Sequence, residues 1–156
     1  RFYYHPVTPG YFETLGIPLL DGRGFYFTDT KAQTIWLFDY DEATGGITRQ
    51  RTFASVPKDL GGPDGMTVDA NGDVWSAHFR GWCLTHYAPD GSVKERIEMP
   101  AANLTSVMFA GPALDELYVT SASGDKRPDA GEHAGALLRV KPGGTGRAEH
   151  RSRIGQ

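Results

Sequence analysis

Short runs of alternating hydrophobic and polar residues, broken by glycine-rich turns, fill this chain from residue 24 onward. Gly24–Asp29 is aromatic, and Thr34–Asp41 sets Ile35 and Leu37 against Trp36 and Phe38. A period of two marks a β-strand, because successive side chains point to opposite faces. Further strands are predicted at Ile47–Ala54, Met66–Val68, Asp73–Phe79, Cys83–Tyr87 and Ser92–Met99. The series continues with Leu104–Phe109, Glu116–Ser121, Gly135–Val140 and Glu149–Ile154. Between them, Asp41–Gly46, Ala70-Asn71-Gly72, Pro89-Asp90-Gly91, Gly111-Pro112 and Pro142-Gly143-Gly144 read as turns. Asn-Gly and Asp-Gly pairs flanked by β-branched and aromatic runs are strong hairpin signals. No amphipathic helix is predicted after residue 20.

Phe25–Asp29, Val74–Ala77 and Leu117–Ser121 recur at intervals of about 45 residues, the length of a four-stranded propeller blade. Three such units fit the chain. Because a propeller needs roughly four to eight blades to close, three leave open sheet edges, which tend to pair with another chain. The expected fold is therefore all-β: about three four-stranded blades of a β-propeller, with open edges that a second copy could complete. Residues 1–20 read as an irregular segment and residues 21–156 as the half-propeller.

Composition narrows the partners. The chain has 156 residues with 20 glycines and 10 prolines, which fit many turns in a single domain. A net charge of −3, with no basic cluster beyond Arg147–Arg153, argues against nucleic acid. Trp36, Trp75 and Trp82 therefore read as blade core or pocket wall rather than base-stacking platforms. The single Cys83 excludes an intrachain disulfide and reads as a small apolar strand residue. No apolar run approaches the roughly 18 residues of a membrane span, and no leader is visible, so the default expectation is a cytoplasmic chain without a membrane partner. The first residue is Arg rather than Met.

The stretch Gly61-Gly62-Pro63-Asp64-Gly65-Met66-Thr67-Val68-Asp69 places a carboxylate in a tight turn at the start of a strand. By itself Asp64 reads as a turn former rather than a ligand. Other segments accompany it: Leu20–Thr30, Ile35–Asp41, Thr105–Gly111, Leu117–Ala122 and Gly135–Gly143. Together and in this order they resemble the C-terminal half of the senescence-marker-protein/gluconolactonase/luciferin-regenerating family of six-bladed propellers. Val7–Arg23 resembles instead a segment of the extracytoplasmic domain of macrolide-exporter-type ABC-transporter permeases. On that reading Tyr11–Leu20 forms a short helix followed by a strand.

The family resemblance implies a divalent-metal-dependent hydrolase that opens sugar lactones. It makes Asp64 an axial metal ligand and the base that activates water. Calcium is the first expectation for the ion, with zinc, magnesium or manganese as alternatives. The family's other ligands have no match, since Thr14-Leu15 stands where an Asn-Gly turn belongs. Calcium wants several oxygen ligands, so one carboxylate is an incomplete set. Two functions are open: a lactone hydrolase whose site is rebuilt by a homodimer, or an inactive half-propeller serving as an oligomerising module. Thr105, Ser106, His78 and Trp75 are the candidates for contacting substrate. Their plainer readings are strand-start hydroxyls, a satisfied strand histidine and a core tryptophan. His78 and His86, on consecutive strands, could pair on a metal or be satisfied separately. Asp69 reads as the first residue of a hairpin turn, and Ser123–Glu132 as a polar loop that covers the site or lies plainly on the surface.

Overall fold

The computed structural model describes residues 19–20, 24–41, 43–123 and 127–148. Two four-stranded antiparallel sheets and one three-stranded sheet follow one another along the chain. The first runs β1 (Leu19–Leu20), β2 (Gly24–Asp29), β3 (Thr34–Asp41) and β4 (Gly46–Ser55). The second runs β5 (Gly62–Val68), β6 (Val74–Phe79), β7 (Cys83–Tyr87) and β8 (Val93–Glu98). The third holds β9 (Leu104–Ala110), β10 (Glu116–Ser121) and β11 (Leu137–Val140). Every neighbour in a sheet is also a neighbour in sequence, the meander of propeller blades.

Most expected strands stand within two residues of their predicted bounds. The last, Glu149–Ile154, lies outside the described residues, as does the helix expected over Tyr11–Leu20 apart from strand residues Leu19 and Leu20. Two details differ from expectation. A single helical turn, α1 (Arg127–Ala130), interrupts the polar loop before β11. The Pro63-Asp64-Gly65 segment is not a turn ahead of a strand but a bulge within β5. Pro63 pairs with His78 and Met66 with Ser76, so Asp64 and Gly65 stand against the single Ala77 and β5 bows out by one extra residue. A proline has no amide to give a ladder, and bulges are where strands tolerate one.

Alternation explains how the sheets stack. In β6, Trp75 and Ala77 pack with Leu104, Val107, Phe109, Leu117 and Val119 of the third sheet. Val74, on the opposite face, joins Tyr26, Ile35 and Phe53 of the first sheet and Tyr87 of β7. The second sheet is thus buried on both faces. A third cluster, Phe25, Phe38 and Tyr40, occupies the outer face of the first sheet. Phe25 and Phe38 stack there at 5.0 Å. Among the described residues no helix is long and apolar enough to cross a membrane.

Candidate functional site

The bulge in β5 carries Asp64 to the place where all three sheets meet. Thr28 of β2 donates its hydroxyl to the Asp64 carbonyl at 3.0 Å, and Thr30 donates to the Pro63 carbonyl at 2.8 Å. Gln33 reaches the Gly61 carbonyl at 3.0 Å. On the other side Gly65 lies against β9. A side-chain carbon at Gly65 would stand 2.7 Å from the Thr105 carbonyl oxygen and 2.8 Å from Ser106 Oγ. Only glycine allows that approach. The first sheet therefore fixes the backbone of the bulge by hydrogen bonds, and the third closes on it by contact.

Asp64 is half-buried, and burial pushes its carboxyl above the usual aspartate range, against the opposing pull of the Gly65 amide. Ser106 is exposed beside Gly65. Thr105 spends its hydroxyl on Thr120 across the third sheet at 2.8 Å. His78 sits opposite Pro63, fully buried, with Nδ1 2.9 Å from the Leu60 carbonyl. A carbonyl can only accept, so Nδ1 carries the hydrogen, and burial lowers the ring's pKa. Among the described hydrogen bonds His78 joins Leu60 and not Asp64. Trp75 faces the other way, at 1% exposure, into the core against the third sheet. The described residues thus bring Ser106 and the Thr105 backbone to Gly65, next to Asp64, set His78 one register position away, and turn Trp75 elsewhere.

A second polar group occupies the other end of β5. Asp69 is five residues beyond Asp64, roughly 16 Å along an extended strand. Its Oδ1 accepts from the amides of Asn71 and Asp73, at 2.8 and 3.0 Å, which folds the expected turn. Its Oδ2 accepts from Trp75 Nε1 at 3.2 Å. Beside it His86 stacks on Trp75 at 3.9 Å, its Nε2 3.0 Å from Asp73 Oδ2 and its Nδ1 3.1 Å from Glu95 Oε1. Lys94 completes the group with an ion pair to Asp73 Oδ2. Burial acts to raise the Asp73 carboxyl, but Lys94 and His86 outweigh it and hold the group below the usual range. Asp69, Asp73 and His86 are buried and offer three ligand atoms within 4.8 Å of one another, a set that can hold a divalent ion.

His78 and His86 are satisfied separately and do not pair on one metal, because the two lie on opposite faces of the second sheet. Ser76 and His78 share one face, whereas Trp75 and its register partner His86 share the other. Asp73, Lys94 and Glu95 were not among the sequence candidates. The register of the β6–β7–β8 meander is the signal that joins them.

For Asp64 the fit to a divalent ion is incomplete. Among the described residues Asp64 belongs to no group of three or more His, Cys, Asp or Glu ligands. A single carboxylate with a serine hydroxyl falls short of the six to eight oxygens that calcium usually takes.

Residues 19–123 match the family model described as SMP-30/Gluconolactonase/LRE-like region. Pentonolactonase XacC of Haloferax volcanii is 45% identical over 141 residues, covering 86% of this chain and 48% of that protein. A solved luciferin-regenerating enzyme superposes with a TM-score of 0.77 at 30% identity, over 86% of this chain and 46% of the other. Regucalcin from Agrobacterium tumefaciens, described as a calcium-binding protein, superposes with a TM-score of 0.74 at 31% identity, over 85% and 47%. The chain spans about half the length of each of these proteins.

Proposed function

This chain belongs to the SMP-30/gluconolactonase/LRE-like family, and from that premise we propose that it carries part of the active site of a sugar lactone hydrolase, with Asp64 as the general base. The observation that carries this reading is the bulge itself. It presents one half-buried carboxylate at the meeting point of three sheets, with its backbone pinned by Thr28 and Thr30 and, among the described residues, no cation acting on its side chain. A carboxylate kept clear of arginine and lysine retains its lone pairs for a water molecule, and partial burial makes it a stronger base than a solvated aspartate. Ring opening needs that proton removed as water adds to the lactone carbonyl, and a proton returned to the ring oxygen as it leaves. Ser106, exposed beside Gly65, supplies a hydroxyl to orient the substrate. The similarity to a pentonolactonase supports a five-carbon sugar lactone as the substrate to try first.

A divalent ion bound at Asp64 would polarise the lactone carbonyl. The described residues give it one anionic ligand, so the reading assigns the rest of its shell to groups beyond them. A second copy, packed against the open faces of the first and third sheets, would bring a second Asp64 to the axis.

The test is a lactone-opening assay that follows acid release from a pentonolactone, with and without added calcium, zinc, magnesium or manganese. Hydrolysis that falls by at least about a hundredfold in Asp64→Asn is the expected result for loss of a general base. Equal rates in the two proteins, or no rate above buffer under any ion, would overturn the assignment. The second result would favour the alternative, an inactive module that associates through its sheet edges.

A further inference from the structure

The polar group at the far end of β5 has no part in that chemistry. We propose that Asp69, Asp73 and His86 form a separate cation site, which takes a first-row transition ion such as zinc in exchange for the Lys94 ammonium.

The geometry is close to that of a metal centre. His86 Nε2 stands 3.0 Å from Asp73 Oδ2 and 3.8 Å from Asp69 Oδ2. Ligands placed about 2.0–2.2 Å from a tetrahedral zinc lie roughly 3.3 Å from one another. Small side-chain rotations therefore close the set, and the fourth position is left for water. All three residues are buried, so they are held by packing before any ion arrives.

The surrounding shell is of the kind that supports metal ligands. Glu95 faces His86 Nδ1, which directs Nε2 towards the two aspartates. A carboxylate behind a ligating imidazole fixes its tautomer and orientation. Asp69 is itself held, by Trp75 Nε1 and by two amides of its own turn. These contacts leave a lone pair on Oδ2 for an ion.

Charge completes the argument. Asp69, Asp73 and Glu95 bring three negative charges against the one positive charge of Lys94. The carboxylates outnumber the one ammonium, two of them are buried, and buried charge is costly unless matched. A divalent ion matches it. His86 Nε2 and Asp73 Oδ2, 3.0 Å apart, face each other as two ligand atoms do around one ion. Lys94 already delivers a cation to Asp73, and its side chain is about half exposed, so it can leave to solvent without unfolding β8. One imidazole with two carboxylates suits zinc and its neighbours, whereas calcium prefers an all-oxygen shell.

Calorimetric titration of the chelator-stripped chain with zinc chloride tests the site, run in wild type and in Asp64→Ala so that binding at the bulge is told apart. The expected result is zinc binding retained in Asp64→Ala and lost in His86→Gln. Glu95→Gln, an exposed change, should weaken it by about 10–100-fold. Lys94→Met should tighten it by removing the competing cation, and serves as the readout if His86→Gln fails to fold. Cobalt in place of zinc should give the visible absorption of a tetrahedral centre. No zinc binding in Asp64→Ala, or zinc affinity unchanged in both Glu95→Gln and Lys94→Met, would overturn the proposal. Either result leaves the Asp64 reading standing on its own assay.

Discussion

Tyr26 lies between the first and second sheets at 2% exposure, with no hydrogen-bond partner for its hydroxyl among the described residues. Burial pushes its phenol up to about 12, with Arg51 pulling the other way and Asp73 adding to the rise. In the unfolded chain the same group ionises near 10.0. The folded state thus resists losing this proton. Its contribution is complete below the unfolded pKa and is lost as pH rises from about 10 to about 12. Two pKa units correspond to at most about 3 kcal/mol. Tyr26→Phe should lose less stability than wild type across that window, read as urea midpoints at either end. Near neutral pH the variant should be as stable as wild type or more so, because it removes a buried hydroxyl that bonds nothing described. Equal alkaline losses in both proteins would refute the assignment. Asp64 shows the other side of residue-scale reading. The Pro-Asp-Gly motif singles it out in the chain, but its raised basicity comes from neighbours on other strands.

At the scale of elements, β5 is the strand that joins the three sheets. It meets the first sheet through Thr28 and Thr30, and the third through Gly65 and Ser106. Gly65→Ala should force β5 and β9 apart, because the new carbon would stand 2.8 Å from Ser106 Cα. Overpacking of this kind costs about 1–3 kcal/mol. Thermal unfolding should show the loss, and lactone opening should fall with it as Asp64 shifts. An unchanged melting temperature would mean that the strands do not approach so closely. The β6–β7–β8 meander is where the sequence was most legible. Its Asn-Gly and Asp-Gly turns are local, so Trp75 opposite His86, and His86 opposite Glu95, follow from strand alternation once the hairpins are placed. The bulge was not legible, because whether Pro-Asp-Gly turns the chain or bows within a strand depends on the partner strand.

At the scale of the whole molecule, the stack of three sheets ends in two apolar faces. Phe27 is 52% exposed on the outer side of the first sheet. Met108 and Leu137, at 48% and 64%, lie on the outer side of the third, opposite the buried Val107, Phe109, Leu117 and Val119. In a closed propeller both faces of every blade are covered by its neighbours. Pairing of two copies through these faces should give a particle of twice the 17.0 kDa chain mass in sedimentation at micromolar concentration. It should shift towards one chain mass in Met108→Lys, which puts a charge in the contact. A single-chain mass at that concentration would refute self-association. The third sheet is also tied to the second at its far end. Asp69 bridges to Gly146, and the Ala70 amide donates to the Thr145 carbonyl at 2.8 Å. The candidate cation site therefore sits at a joint between sheets.

The amino-acid order by itself determined the all-β class, most strand positions and the turns. All of these rest on alternation and turn chemistry within a few residues of chain. Tertiary structure alone decided that Asp64 rides a bulge between Thr28 and Ser106, and that Trp75 turns away from it. It also decided that Asp69, Asp73, His86, Lys94 and Glu95 share one cluster of charge. Those outcomes depend on register and on the stacking of one sheet against the next. Both are settled by groups far apart in sequence, and no local pattern specifies which of them will meet.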